Sequence, residues 1–234
     1  MIKQTPGKIF LADQRGLTET SRFRRYSTFN FGSYAHEHKA AFGRLQAVNE
    51  ETLGGGQHLA FRADQATHLL LIPVTGELLV SVPAQQDVVV EVENMHLLTV
   101  PAGTTISLRN PYATELVTFL HLWVQPDAPV TIIGSQQYAF SLASAGGQLT
   151  AATAPLSAAP LPFSVYLGRF AGRQEIMYDL SPEASFFAYV LAGAFEAEGR
   201  LLHEKDSLAL WETETVELEA LSNNALLLVL ELKA

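Results

Sequence analysis

The chain contains no cysteine. That excludes disulfides, Cys-ligated zinc and thiol catalysis together. Positive charge is also sparse: 15 Lys and Arg against 24 Asp and Glu give a net charge of −9. Nucleic acid is therefore not expected as a direct partner, because phosphate binding depends on clustered cations. The one basic run, Arg22-Phe23-Arg24-Arg25, reads as a solvated turn or a local salt-bridge site. No apolar stretch is long enough to span a membrane, and the first ten residues lack a signal-peptide core. The expectation is a cytoplasmic protein with no membrane partner.

Hydrophobic residues, in contrast, make up 48% of the 234 residues, enough for a sizeable core. They fall in short apolar or alternating runs separated by Gly, Pro, Asn and Asp, the pattern of strands in a sandwich or barrel. Helical periodicity is admitted only near residue 140, in Ser-Gln-Gln-Tyr-Ala-Phe-Ser-Leu-Ala-Ser-Ala-Gly-Gly, where one short helix is allowed. Residues 143–162 consist almost entirely of Ala, Gly, Ser, Thr and Pro, as in a linker or surface loop. They divide the chain into expected barrels at 1–142 and 163–234. The two parts share a pattern of strand, Gly-centred turn and strand: residues 67–80 around Gly76 and 185–199 around Gly193, both read as β-hairpins.

A family comes into view along these parts. Residues 13–16, Asp-Gln-Arg-Gly, and the stretch 25–51 resemble the opening signature of the pirin family. Thr28, Phe29, Phe31, Gly32, Tyr34, Gly43, Leu45, Val48, Asn49 and Glu50 fit it, with Asn30 in place of Ser. Residues 186–211 and 225–232 are similar to the family's second barrel. The resemblance implies an all-β double cupin, two β-barrels of the jelly-roll type. It also implies one iron-like metal in the N-terminal barrel, held by three His and one Glu, and a quercetin 2,3-dioxygenase activity.

The ligand set implied by the resemblance is not matched. Counted without gaps from Asn49 to Gly76, the family's His-x-His pair falls on Arg62 and Asp64, and its following acidic segment ends on His68. The later His falls on Ile106 or Leu108, and the downstream polar position on Asn110. Arg62 has no lone pair to give a metal. Asp64 and His68 alone make two weak candidates, fewer than a mononuclear site needs. No cofactor is therefore expected, an iron or other divalent site being the alternative.

The remaining histidines fit bland roles. His36 and His38 fit a polar loop, and His58 a loop end. His96 and His121 fit core or edge histidines with a hydrogen-bond partner, and His203 stands alone in the second part. No nucleophile elbow, phosphate loop or dinucleotide fingerprint is present. The Gly-rich Leu53–Gln57 segment leads into a strand and offers no helix N-terminus to a phosphate. Metal-independent acid–base chemistry by His68 and Asp64 has no substrate signal behind it. The expected function is non-catalytic binding of a small molecule or a protein partner. The candidate pocket residues are Arg62, Asp64, His68 and Asn110, with Phe119 or Trp123 as aromatic neighbours. The competing expectation is a quercetinase-like enzyme with a non-standard metal site.

Overall fold

The structure is a computed structural model that describes residues 5–143, 146–152 and 160–233. Its strands are β1 (Gly7–Phe10), β2 (Gly16–Glu19), β3 (Phe23–Ser27), β4 (Leu45–Leu53), β5 (His58–Arg62), β6 (Thr67–Thr75) and β7 (Leu78–Ser81). Next come β8 (Val88–Val90), β9 (Asn94–Val100), β10 (Thr105–Arg109), β11 (Val117–Val124), β12 (Gly134–Ala139), β13 (Thr150–Ala151) and β14 (Phe163–Phe170). The last seven are β15 (Glu175–Asp179), β16 (Ser185–Ala192), β17 (Phe195–Ala197), β18 (Arg200–Leu202), β19 (Ser207–Leu210), β20 (Thr215–Ala220) and β21 (Ala225–Leu232). Among the described residues the one helical element is a 3-10 turn at Ala12–Gln14, and no helix is long and apolar enough to cross a membrane.

Two compact units result, Arg15–Phe140 and a second unit made of the residues up to Gln14 with those from Ser141 onward. The first unit has a seven-stranded sheet, ordered β12-β9-β6-β11-β4-β3-β2, and a four-stranded one, β5-β10-β7-β8. The second has β1-β19-β16-β21-β14-β13 and β15-β20-β17-β18. The orders are equivalent: β16 stands where β6 does, β21 where β11 does, and β15 and β20 where β5 and β10 do. In the first unit β12 closes one edge of the large sheet. In the second unit the equivalent edge is taken by β1 from the N-terminal part, which pairs with β19, Phe10 opposite Ser207.

Four expectations are revised here. Residues up to Gln14 lie with the second unit, because their backbone completes its sheet edge. Part of the expected linker is structural too, since β13 pairs with β14; residues 144–145 and 153–159 lie outside the described residues. The expected short helix near 140 is in fact β12, whose backbone pairs with β9 from Gly134–Thr99 to Ala139–Asn94. The turns at Gly76 and Gly193 do occupy equivalent places, but they are not hairpins. At each the chain crosses from the large sheet to the small one, β6 to β7 and β16 to β17. Both glycines have positive φ, 71° and 80°. A Cβ at Gly76 would come within 2.9 Å of Val117, and one at Gly193 within 2.3 Å of Ser222. Glycine is the residue that makes such a corner without strain.

Strand alternation sets which side chains fill the first unit. Leu69, Leu71 and Phe119 of the large sheet meet Leu78, Val80, Ile106 and Leu108 of the small one in a single core. The same alternation carries polar side chains inward wherever the sequence places them on the inward parity.

Candidate functional site: the pocket of the first unit

β3 reads Phe23-Arg24-Arg25-Tyr26-Ser27, and its inward parity is Phe23, Arg25 and Ser27. Arg24 points outward to Glu19, its Nη2 2.5 Å from the carboxylate, whereas Arg25 is buried. β4 lies alongside with Arg25 opposite Glu51 and Ser27 opposite Asn49. β11 pairs on the far side of β4, bringing His121 opposite Asn49. The pairing of three adjacent strands thus assembles a polar cluster within an apolar barrel.

Its hydrogen bonds form a chain. Arg25 Nε–H donates to Glu51 Oε1. His121 Nε2 lies 3.0 Å from the same oxygen, and Trp123 Nε1–H donates to His121 Nδ1 at 2.8 Å. An indole nitrogen can only donate. His121 Nδ1 must therefore be the acceptor, which puts the imidazole proton on Nε2, facing Glu51. The ring is neutral in this arrangement. Burial agrees, pushing the His121 pKa down; the hydrogen bond and charge of Glu51 oppose this, and the charge of Arg25 adds to it. The guanidinium carbon of Arg25 sits 5.0 Å from the ring centre of Phe31, 5.1 Å from Phe61 and 5.3 Å from Phe23. Such cation–π contacts are each worth about 0.5–2 kcal/mol. Glu51 Oε2, both polar atoms of the Asn49 amide and Ser27 Oγ are buried without a hydrogen-bond partner among the described residues.

The two ends of this chain, Arg25 and Trp123, line a cavity of about 590 Å³. Phe23, Phe31, Leu59 and Phe61 supply its apolar wall. Asn30, Gln46, Gln65 and Gln125 supply amides. Phe31, Phe61 and Trp123 form a mutual aromatic cluster, with ring centres 5.8–6.0 Å apart.

The four residues named in the sequence as pocket candidates separate into two groups. Arg62 and Asp64 do line the cavity, both exposed. Arg62 ends β5 on its outward parity, and its Nη2 lies 3.6 Å from where a Cβ on Gly103 would stand. His68 does not line the cavity. It lies on the face of β6 opposite Leu69, with Nδ1 2.8 Å from Thr99 Oγ1; burial lowers its pKa, and the charge of Asp127 opposes this. Asn110 is also elsewhere, clamping the Gly-rich turn. Its Nδ2 donates to the carbonyls of Leu53, Gly54 and Glu115, and its Oδ1 accepts from Tyr112 N–H. Trp123 lines the cavity, while Phe119 is fully buried in the core. The run containing Arg25, read as a solvated turn or a local salt-bridge site, is largely a strand, and it does make salt bridges, Arg24 with Glu19 and the buried Arg25 with Glu51.

The metal question can be put directly to the donor set. The inward positions of β5 are Leu59 and Phe61, whereas Arg62 ends the strand on its outward parity and Asp64 lies beyond it. The facing strand β10 places Ile106 opposite Phe61 and Leu108 opposite Leu59. All four side chains are hydrocarbon, with no lone pair for a cation. The residues present therefore do not fit the metal that the resemblance implies. Among the described residues no group of three or more His, Cys, Asp or Glu is placed to hold an ion.

Comparison with known proteins agrees with this architecture. Residues 163–232 match the family described as the quercetinase C-terminal cupin domain. The quercetin 2,3-dioxygenase of Escherichia coli (strain K12) is 19% identical over 219 residues, 93% of this chain and 95% of that protein. The crystal structure of YhhW from Escherichia coli superposes with a TM-score of 0.86 at 17% identity, over 97% of each chain. The bacterial pirin YhhW in complex with nickel(II) gives 0.80 at 16%, over 97% of this chain and 99% of that one. Two units of one cupin topology in a single chain make this a bicupin. It is a pirin-like bicupin whose inward positions on β5 and β10 carry no metal ligand.

Proposed function

We propose that the first unit binds a small organic molecule without metal chemistry, and that the protein works as a binding or regulatory protein, not as a quercetinase. One observation carries this reading. The inward faces of β5 and β10 are hydrocarbon, yet a cavity of about 590 Å³ stays open beside them, walled by aromatic rings with a guanidinium at its edge. Concave, mainly apolar sites with a few placed polar groups are how proteins bind small molecules. Such a wall with no opening would be a packed core; an opening with metal ligands would suit the dioxygenase reading.

The test is a thermal-shift screen of aromatic metabolites on chelator-treated protein, run beside a quercetin-consumption assay. A ligand at a hundred times its Kd stabilises by about 2.7 kcal/mol, several degrees in Tm. The reading predicts at least one such ligand and no turnover of quercetin. Turnover that is lost on chelation and restored by added metal would contradict it.

A further inference from the structure

Given that the pocket binds an organic molecule, as proposed above, its charges and rings select among them. Arg25 and Arg62 contribute two guanidinium groups to the lining, against one carboxylate from Asp64. Glu51, the counter-ion of Arg25, is wholly buried and does not reach the cavity. The Glu51–Arg25 pair is therefore a dipole with its positive end toward the cavity. The Nε–H of Arg25 is taken by Glu51, and its two Nη groups make no hydrogen bond to the described residues. With Phe23, Phe31 and Phe61 around the guanidinium, those Nη–H groups are what it has left to offer a ligand. A guanidinium edge presents parallel donors, and a carboxylate is the acceptor that matches them. Next to it, Phe31, Phe61 and Trp123 present ring surfaces to which a flat aromatic body can pack.

We infer that this pocket takes an aromatic carboxylate, its acid group on the Nη edge of Arg25 and its ring system against Phe31, Phe61 and Trp123. Arg62 at the rim adds positive potential to the entrance. The amides of Gln46 and Gln125 stand along the same cavity to meet ring substituents.

The test is isothermal titration of the chelator-treated full chain with 2-naphthoate and with its neutral isostere, 2-naphthamide. One naphthoate should bind per chain, at least ten-fold tighter than the amide. That preference should vanish in the double variant Arg25→Met/Glu51→Gln, which removes both buried charges together. In Arg25→Lys, which keeps the charge but not the fork, naphthoate should weaken by about ten-fold. The inference is overturned if the amide binds as well as the acid, if naphthoate fails to bind while a neutral library member does, or if binding ignores both variants. If nothing in the library binds at all, it is the organic-pocket reading itself that falls. The acid-against-amide comparison needs no variant, so it stands even if the substitutions prevent folding.

Discussion

Replacing Glu51 by Leu strips the buried guanidinium of Arg25 of its counter-ion and the Nε2–H of His121 of its acceptor. The Arg25 side chain is 9% exposed and that of Glu51 0%, so water does not reach the buried side where Nε meets the carboxylate, although the Nη edge faces the cavity. Breaking a buried pair on one side costs about 3–5 kcal/mol. A domain of this size has on the order of 5–15 kcal/mol in all, so the single variant loses a large fraction of its stability. Arg25→Met alone should cost a similar amount, because it strands the carboxylate. The two changes together exchange a buried ion pair for hydrocarbon, which is neutral or stabilising, and leave only His121 Nε2–H without its acceptor, at a cost of about 1–3 kcal/mol. The coupling between the sites should therefore be about 3 kcal/mol or more, well beyond what independent sites show. Urea unfolding followed by Trp123 fluorescence measures it, in a Trp211→Phe background since these are the two tryptophans. That readout reports the first unit alone, which matters because a two-unit chain need not unfold in one step. Additive losses in the double variant, or a cost under about 1 kcal/mol for Glu51→Leu, would refute the view that this pair organises the pocket.

Other consequences follow from buried groups and edges. Burial lowers the His96 pKa from 6.5 to about 4, so between those pH values the unfolded chain binds a proton that the fold does not. Stability should be full above pH 6.5 and fall by roughly 3 kcal/mol toward pH 4; pH-dependent denaturation should show a shallower decline in His96→Leu. His68 and His121 act in the same direction, so some decline should persist. Asn110→Ala should cost about 2–4 kcal/mol by thermal melt, since it releases three carbonyls and one amide at 2.7–3.1 Å. Deleting residues 1–14 should open β19 as a free edge, and hydrogen exchange should lose protection at Ser207–Leu210 while Val117–Val124 keeps it.

The fold was largely legible in the sequence. Alternating runs bounded by Gly and Pro located the strands, and the likeness of the stretches around Gly76 and Gly193 disclosed two copies of one unit. What the pattern could not tell was pairing across distance. A Thr75-Gly76-Glu77 turn looks like a hairpin until the partners of β6 and β7 are known to lie in different sheets. Likewise, β1 carries no local sign that its partner is β19, some two hundred residues away. The site was less legible, for a related reason. Counting residues between signature points fixed Arg62 and Asp64, whereas the inward face of β5 is set by its alternation and by its pairing with β10. A usable signal was present: Arg25 shares parity with Phe23 and Ser27, and Glu51 shares parity with Ala47 and Leu53. Charged residues on an apolar parity mark buried ions. His121 did behave as its apolar surroundings suggested, a core histidine with partners, though the identity of those partners needed the structure.

The central claim, an organic-binding pocket where a metal would require His and Glu, meets its most direct test in nickel(II) binding. Equilibrium dialysis of the wild-type chain should be run beside Leu59→His/Phe61→His/Ile106→His/Leu108→Glu, which places three imidazoles and a carboxylate on the inward faces of β5 and β10. The account predicts well under one nickel per wild-type chain and a clear gain toward one in the variant. One tightly held nickel per wild-type chain, displaced when the pocket is filled, would contradict it.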